Sequence, residues 1–357
     1  MPISESKLDQ LTHEAIELLS ALVRIPALSK EEDHRATFLL NYLKNQGLDP
    51  KQSLNNIMLD QDPLTSKPKL LLNSHIDTVK PVPSWNLNPH DPIKQNGNLY
   101  GIGTNDAGAS VVSLLMTYKY LMDSNQSYHL IYAATAEEEI SGQNGIAHII
   151  NELHDIKLAI VGEPTGMQMA IAEKGLMVID ALASGISGHA ARHEGKNAIY
   201  VALADIERII NYLFDKESDL LGSTKATVTM IHAGSQHNVI PDQCNYVIDV
   251  RSNEFYSNEE IYNLLQGEVE SVLTPRSFRL NSSRIKTNHP IVIKGTKIGL
   301  TSYGSPTLSD QTLMPFPSIK IGPGASSRSH TADEYIKMDE IRHGIKTYIE
   351  LLDGLSI

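Results

Sequence analysis

Apolar positions recur at helical spacing near the start of the chain: Leu8, Leu11, Ala15, Ile16, Leu19 and Leu22. This pattern predicts an amphipathic helix over residues 5–24, ended by Pro26. A second helix is predicted in EEDHRATFLLNYLKNQG, closed by Gly47. Further on, short apolar runs alternate with helical patterns. KLLLNSHID, SYHLIYAATAEEE and KLAIVGEPTG read as strands, ASVVSLLMTYKYLM and GIAHIINEL as helices. That alternation predicts an α/β domain with a mostly parallel sheet.

The rhythm changes after about residue 174. GLMVIDALASGIS alternates like a strand with one wet face, and NAIYVALADIERIINYLFD is a strong amphipathic helix. KATVTMIHAG and QCNYVIDVRS read as strands, NEEIYNLLQGEVESVL as a helix and SFRLNSSRIK as a last strand. The order β-α-β-β-α-β is that of a ferredoxin-like α+β module. The simplest division is a main domain of residues 1–173 and 287–357, interrupted by an inserted domain of residues 174–286. The chain closes on another helix, MDEIRHGIKTYIELLDGL.

Composition narrows the function classes. The 357 residues carry a formal charge of −12 with no basic stripe, which argues against a nucleic-acid partner. No apolar run approaches a membrane span or a signal region, and the one cysteine, Cys244, fits a reducing compartment. The expectation is a cytoplasmic protein without a membrane partner. Cys244 sits in an alternating strand, DQCNYVIDV, and reads as a small buried residue.

Candidate chemistry gathers where the strands end. His75 and Asp77 close one strand, and Asp106 follows the glycine-rich LYGIGTN. Glu137, Glu138 and Glu139 follow HLIYAATA, Glu163 follows LAIVG, and His330 lies in IKIGPGASSRSHTADEY. In an open α/β sheet, ligands bind at the carboxyl ends of the strands. Any one of these residues alone reads as a solvated helix start or a structural histidine. Together they crowd like charges at one rim, which raises each carboxylate's pKa and costs stability unless cations offset it. Histidines and carboxylates without a thiolate suit Zn2+, with Co2+ or Mn2+ as alternatives. Asp77 then hydrogen-bonds His75 and fixes its tautomer.

SHIDTV, GIGTNDAGAS, TAEEEISG, IVGEPTG, SGHAARHEGKNAI, HNVIPDQC, IDVRS and GPGASSRSHTADEY occur in this order along nearly the whole chain. In this it resembles the zinc-dependent aminoacylase and carboxypeptidase family, which includes acetylornithine deacetylases, succinyl-diaminopimelate desuccinylases and di- and tripeptidases. The resemblance implies a two-zinc amidohydrolase whose inserted domain is a lid that forms a homodimer. It implies that His75 and Glu163 bind one metal, that Glu139 and His330 bind the other, and that Asp106 bridges them. Glu138 would be the general base. The triple glutamate leaves a second register open, with Glu137 as base and Glu138 as ligand. Ala107 stands where many relatives carry a larger residue, and the peptide bond before it is often cis. His189 in the lid would stabilise the oxyanion across the dimer. Asn238 and Arg251 would grip a substrate carboxylate, and the loop at Gly324 would approach the substrate. Arg328, two residues before His330, would add a cation for an acyl-group carboxylate. GPG followed by SHTADEY is closest to acetylornithine or acetylcitrulline deacetylases. The implied substrate is therefore an Nα-acetyl or Nα-succinyl ornithine or citrulline, in arginine biosynthesis. A desuccinylase or dipeptidase of the same fold is the nearest alternative, and a catalytically inactive binding protein is another class.

Overall fold

Leu70, Leu71 and Leu72 are fully buried, because their strand, Lys69–His75, runs through the middle of a sheet. The computed structural model describes residues 3–357. The chain forms two units. The first takes the chain up to Ile171, together with Ile285–Tyr303 and Ser309–Ile357. The second is Ala172–Arg284 with Gly304–Leu308.

In the first unit the strands run in the order Lys51–Ser53, Asn56–Leu59, His129–Thr135, Lys69–His75, Ile156–Val161, Ser318–Lys320, Met169–Glu173. The four from His129–Thr135 to Ser318–Lys320 are parallel, with Leu72 beside Tyr132 on one side and Ile160 on the other. Their carboxyl ends therefore share one rim, which is where the candidate residues follow. This is the mixed, mostly parallel α/β architecture that the strand and helix alternation predicts.

The first helix, Glu5–Val23, starts where the Ser4 side chain accepts the Lys7 N–H at 3.3 Å. The second, Asp33–Asn45, stops just before Gly47, whose φ is +76°. Helix Ala109–Leu121 is buried nearly all round, so its sequence shows no polar stripe. GIAHIINEL gives only the short helix Ile146–Ile149, one turn anchored by two isoleucines packed near Leu71 and Ile131.

The second unit has a four-stranded antiparallel sheet in the order Lys225–Ala233, Gln243–Arg251, Met177–Ser184, Val272–Pro275. With helices Ala198–Asn211 and Asn258–Glu268 this is the ferredoxin-like arrangement. Ile179, Ile209, Cys244, Tyr246, Ile248 and Leu265 lie in its core. The fourth strand differs from the sequence expectation: it is Val272–Pro275, starting in the last two residues of the segment that reads as helix, while SFRLNSSRIK gives only the short strand Ser283–Arg284, which pairs with Met169–Glu173. The buried Asp205 carboxylate explains the break, since it accepts the N–H groups of Glu270 and Ser271 at 3.1 and 2.8 Å. That capture ends the helix at Glu268 and releases Leu273 to pair beside Ala181 and bury.

Candidate metal centre

His75 closes the central strand with its side chain only 1% exposed. Its Nδ1 lies 3.0 Å from the main-chain oxygen of Asp77 and donates there, which leaves Nε2 facing Asp106 Oδ1 at 3.3 Å. Glu163 follows the neighbouring strand and brings Oε1 to 3.8 Å from the same Nε2. The other oxygen of Asp106, Oδ2, is 3.7 Å from His330 Nε2. That nitrogen is in turn 3.0 Å from Glu139 Oε2. Two groups of candidate ligands result, His75–Asp106–Glu163 and Asp106–Glu139–His330, each with its donor atoms within 4.8 Å of one another. Asp106 belongs to both and offers one oxygen to each.

The loops that carry these groups are held by carboxylates accepting main-chain N–H bonds. Glu334 is buried and takes the N–H groups of Gly103, Asn105 and Asp106 at 3.0, 2.8 and 2.9 Å. A Cβ at Gly103, where φ is +73°, would lie 2.6 Å from Thr78 Cγ2, so glycine is required at this turn. The Asp106–Ala107 peptide is cis. Asp77 takes the N–H groups of Glu138 and Glu139 at 3.1 and 3.2 Å and the Ser29 hydroxyl at 2.7 Å. Glu32 accepts the Glu137 N–H at 3.2 Å. Glu137 and His330 both adopt left-handed φ, +56° and +60°, a conformation that costs a non-glycine residue about 1–2 kcal/mol. Such strain persists where surrounding bonds over-determine it, as they do here.

The turn at Glu137 separates the three glutamates. Glu137 folds back so that its carboxylate accepts from the Asn144 side chain at 2.8 Å. Glu139 faces His330. Glu138 stands beside the His75 group, with Oε2 4.0 Å from His75 Nε2.

Burial and the like charges of Glu163, Asp310 and Glu139 push Glu138 well above the ordinary carboxylate range, against the pull of His75. Burial and Asp106 do the same to Glu163. Burial works against protonated His75, but the carboxylates of Asp106 and Asp77 and the charges of Glu138 and Glu163 outweigh it and raise its pKa. Glu139 raises His330 to about 9. Glu163 Oε1 is buried without a hydrogen-bond partner, a costly state for a carboxylate oxygen unless a cation takes it. The donor set, the shared aspartate and this orphaned oxygen fit a pair of divalent cations.

A consequence can be measured. His330 is largely protonated near neutral pH in the metal-free protein, and a metal ligand must be neutral. Adding Zn2+ or Co2+ should therefore release at least about one proton per protein, and affinity should rise with pH until about 9. Titration in buffers of different ionisation enthalpy reads the proton count directly. Binding without release would exclude His330 as a ligand.

The sequence matches the model of peptidase family M20/M25/M40 over residues 71–354. An uncharacterised metallohydrolase of Methanocaldococcus jannaschii is 30% identical over 300 residues, 81% of this chain and 83% of that protein. The chain belongs to peptidase family M20/M25/M40. This family groups metal-dependent hydrolases. A further relative, 26% identical over 96% of both chains, is the [LysW]-lysine/[LysW]-ornithine hydrolase of Saccharolobus solfataricus. A tripeptidase structure from Staphylococcus aureus superposes with a TM-score of 0.76 at 22% identity, covering 96% of this chain and 97% of that one.

The remaining candidates of this family member sit as follows. His189 and Asn238 come together in the second unit, where Gly188–His189 pairs with Val239–Ile240 and the Ala190 N–H donates to the Asn238 carbonyl at 3.0 Å. His189 is exposed and its Nδ1 accepts the Ala191 N–H at 3.1 Å, so the neutral ring carries its proton on Nε2. Arg251 forks onto Asp249, two residues back on the same strand face, at 2.8 and 3.1 Å. Gly324 has a packing reason to be glycine: φ is +95°, and a Cβ would strike Asn105 Oδ1 at 2.4 Å.

Arg328 has partners of its own near the His330 loop. Both terminal nitrogens of its guanidinium fork onto Glu340, at 2.9 and 2.7 Å, and it stacks 4.9 Å from the Tyr335 ring centre. A third bond, from Nη1 to the Tyr335 carbonyl at 3.3 Å, ties the same guanidinium to the strand that follows His330.

Sequence reasoning missed Glu334, Glu32 and Asp310. Asp310 is buried, bonds Asn73 at 2.8 Å and Thr135 at 3.1 Å, and is pushed by burial to about 6. Glu334 lies in the quoted SHTADEY stretch, but its spacing resembles a loop acid and nothing marks it as buried.

Proposed function

We propose that this protein hydrolyses the amide bond of an Nα-acyl amino acid, with a centre of two divalent cations. The observation that carries this reading is Asp106 shared between two ligand groups, with Glu138 beside His75 and a member of neither. Histidine and carboxylate donors suit Zn2+, Co2+ or Mn2+. Cations held there supply Lewis-acid polarisation of the amide carbonyl and lower the pKa of the attacking water.

Glu138 takes the proton from that water. The same carboxyl then delivers the proton to the leaving amine, so one side chain serves as base and then acid. Asp77 holds Glu138 in place through its main-chain N–H. The products are a carboxylic acid and a free amino acid.

The finer reading is release of ornithine or citrulline from an Nα-acetyl or Nα-succinyl precursor, a step of arginine biosynthesis. The name of the S. solfataricus relative, [LysW]-lysine/[LysW]-ornithine hydrolase, includes ornithine, which accords with an amino-acid product. A desuccinylase or peptidase specificity is the competing reading, favoured by the fold likeness to a tripeptidase. Ninhydrin detection of free amine separates them. The panel is Nα-acetyl- and Nα-succinyl-ornithine, -citrulline and -diaminopimelate, with dipeptides and tripeptides alongside. Turnover of peptides alone would overturn the deacylase reading, and no turnover of any amide by the metal-loaded protein would overturn hydrolysis.

We further propose a homodimer formed through the second unit. Helix Ala198–Asn211 leaves Tyr200, Leu203 and Ile210 more than half exposed on one side. Strand Lys225–Ala233 is at a sheet edge with Met230 and Ile231 exposed. An apolar helix face beside an open strand edge is what a second copy would cover. In that assembly His189 of the partner subunit donates its Nε2–H to the oxyanion. His189→Ala should then lower turnover about 10²–10³-fold with metal content unchanged. Subunit exchange with inactive Glu138→Gln protein should restore part of the activity, because one site of the mixed dimer keeps both groups. A purified heterodimer that stays inactive would rule out the cross-subunit role.

A further inference from the structure

Arg35 belongs to no motif picked out in the sequence, and the mechanism above does not use it. It lies on helix Asp33–Asn45 and is 5% exposed. Its guanidinium makes no ion pair within 4.0 Å among the described residues; it binds main-chain carbonyls. Nε and Nη2 donate to Ile25 at 3.1 and 2.6 Å, and Nη1 donates to Ile76 at 2.6 Å. Ile76 is the residue between His75 and Asp77.

A buried cation bonded only to neutral acceptors is expensive. What surrounds it accounts for its presence. The charges that favour its cationic form against burial are the carboxylates of Asp77, Glu32 and Glu334. These are the three that hold the site's loops: Asp77 takes the N–H groups of Glu138 and Glu139, Glu32 that of Glu137, and Glu334 those of Gly103, Asn105 and Asp106. All three are buried. Of the three, Asp77 shares with Arg35 the lining of a small cavity that His75, Gly103 and Asp106 also line. Three buried acids at the back of a site already crowded with acids would repel one another before any cation arrived. One fixed positive charge among them offsets that repulsion, and its bond to Ile76 pins the His75–Asp77 turn.

We infer that Arg35 is a positioning residue for the metal centre. It is the shared counter-charge of the three carboxylates that shape the ligand loops, and it holds the His75–Asp77 turn in ligating geometry. This rests on the metal-centre reading given above. The competing physics has the opposite sign: a bare positive charge behind a cation site repels the cation.

The test compares Arg35→Gln, which keeps an N–H donor for a carbonyl but loses the charge, with Arg35→Lys, which keeps both. Zn2+ and Co2+ affinities of the metal-free proteins are measured by competition with a chelating dye, and Co2+ absorption reports ligand geometry. Thermal unfolding of the metal-free proteins is recorded alongside. Residues that support ligands from behind typically affect metal affinity about 10–100-fold. Arg35→Gln should lose that much with an altered Co2+ spectrum, and Arg35→Lys should stay within a few-fold of the parent even where its melting temperature falls. Parent-like affinity in folded Arg35→Gln, or tighter binding, overturns the inference, and so does an equal loss in both variants. Should Arg35→Gln not fold, Arg35→Lys decides alone: affinity within a few-fold supports the role, and a tenfold loss or more removes it. A parent protein that binds neither metal would instead overturn the metal-centre reading itself.

Discussion

Glu138→Gln should leave the protein folded and metal-loaded while turnover falls by about 10²–10⁴-fold. The amide keeps the shape of the side chain and removes its ability to accept a proton. The effect belongs at the upper end of that range if the same carboxyl later delivers the proton to the amine. Metal content and substrate affinity should change little, because Glu138 is in neither ligand group. Glu137→Gln is the informative control. Its side chain bonds Asn144 behind the turn, so that variant should lose stability in the loop and keep most of its chemistry. If Glu137→Gln were the dead variant and Glu138→Gln lost a metal, the roles of these neighbours would shift by one residue.

Asp106→Ala should empty both halves of the centre at once. Each ligand group is a set of three that includes Asp106, so its removal leaves each half with two protein donors and removes a negative charge from between two cations. A single-site ligand behaves differently: Glu163→Ala should weaken mainly the half with His75, and His330→Ala mainly the half with Glu139. Metal analysis after dialysis against trace Zn2+ distinguishes the cases. Two equivalents retained by Asp106→Ala would remove the bridging role.

The parts of the centre that were legible in the sequence are those where periodicity breaks into chemistry. Leu70–Leu72 announce a buried strand, and the His75-x-Asp77 pair at its end has no packing purpose. Glu163 and His330 could be read in the same way, as polar residues just past apolar runs. The buried acids that hold loops could not. Glu334 and Glu32 act on main-chain N–H groups of segments far away in sequence, and backbone donors leave no trace in side-chain pattern. Asp77 Oδ1 lies 3.4 Å from His75 Nδ1, and what the pattern could not show is that the same carboxylate also carries the Glu138–Glu139 turn. The register of three identical glutamates is invisible to spacing. It depends on one left-handed residue, Glu137. The strand Val272–Pro275 was hidden because its residues continue a helical pattern until the tertiary bonds to Asp205 interrupt it.

The position of strand Ser318–Lys320 has a consequence for biosynthesis. It lies between Ile156–Val161 and Met169–Glu173, yet the ribosome makes it only after the whole segment Ala172–Arg284 has emerged. At roughly 5–20 residues per second, the nascent chain spends on the order of ten seconds with those two strands made and no strand to bridge them. The second unit, nearly all of it contiguous, is made whole during that interval, before the sheet of the first unit has all its strands. Until residue 320 leaves the exit tunnel, Ile156–Val161 presents an apolar strand edge of the kind that chaperones cover and neighbouring nascent chains invade. A release from the ribosome short of that point would yield a finished insert attached to an open sheet.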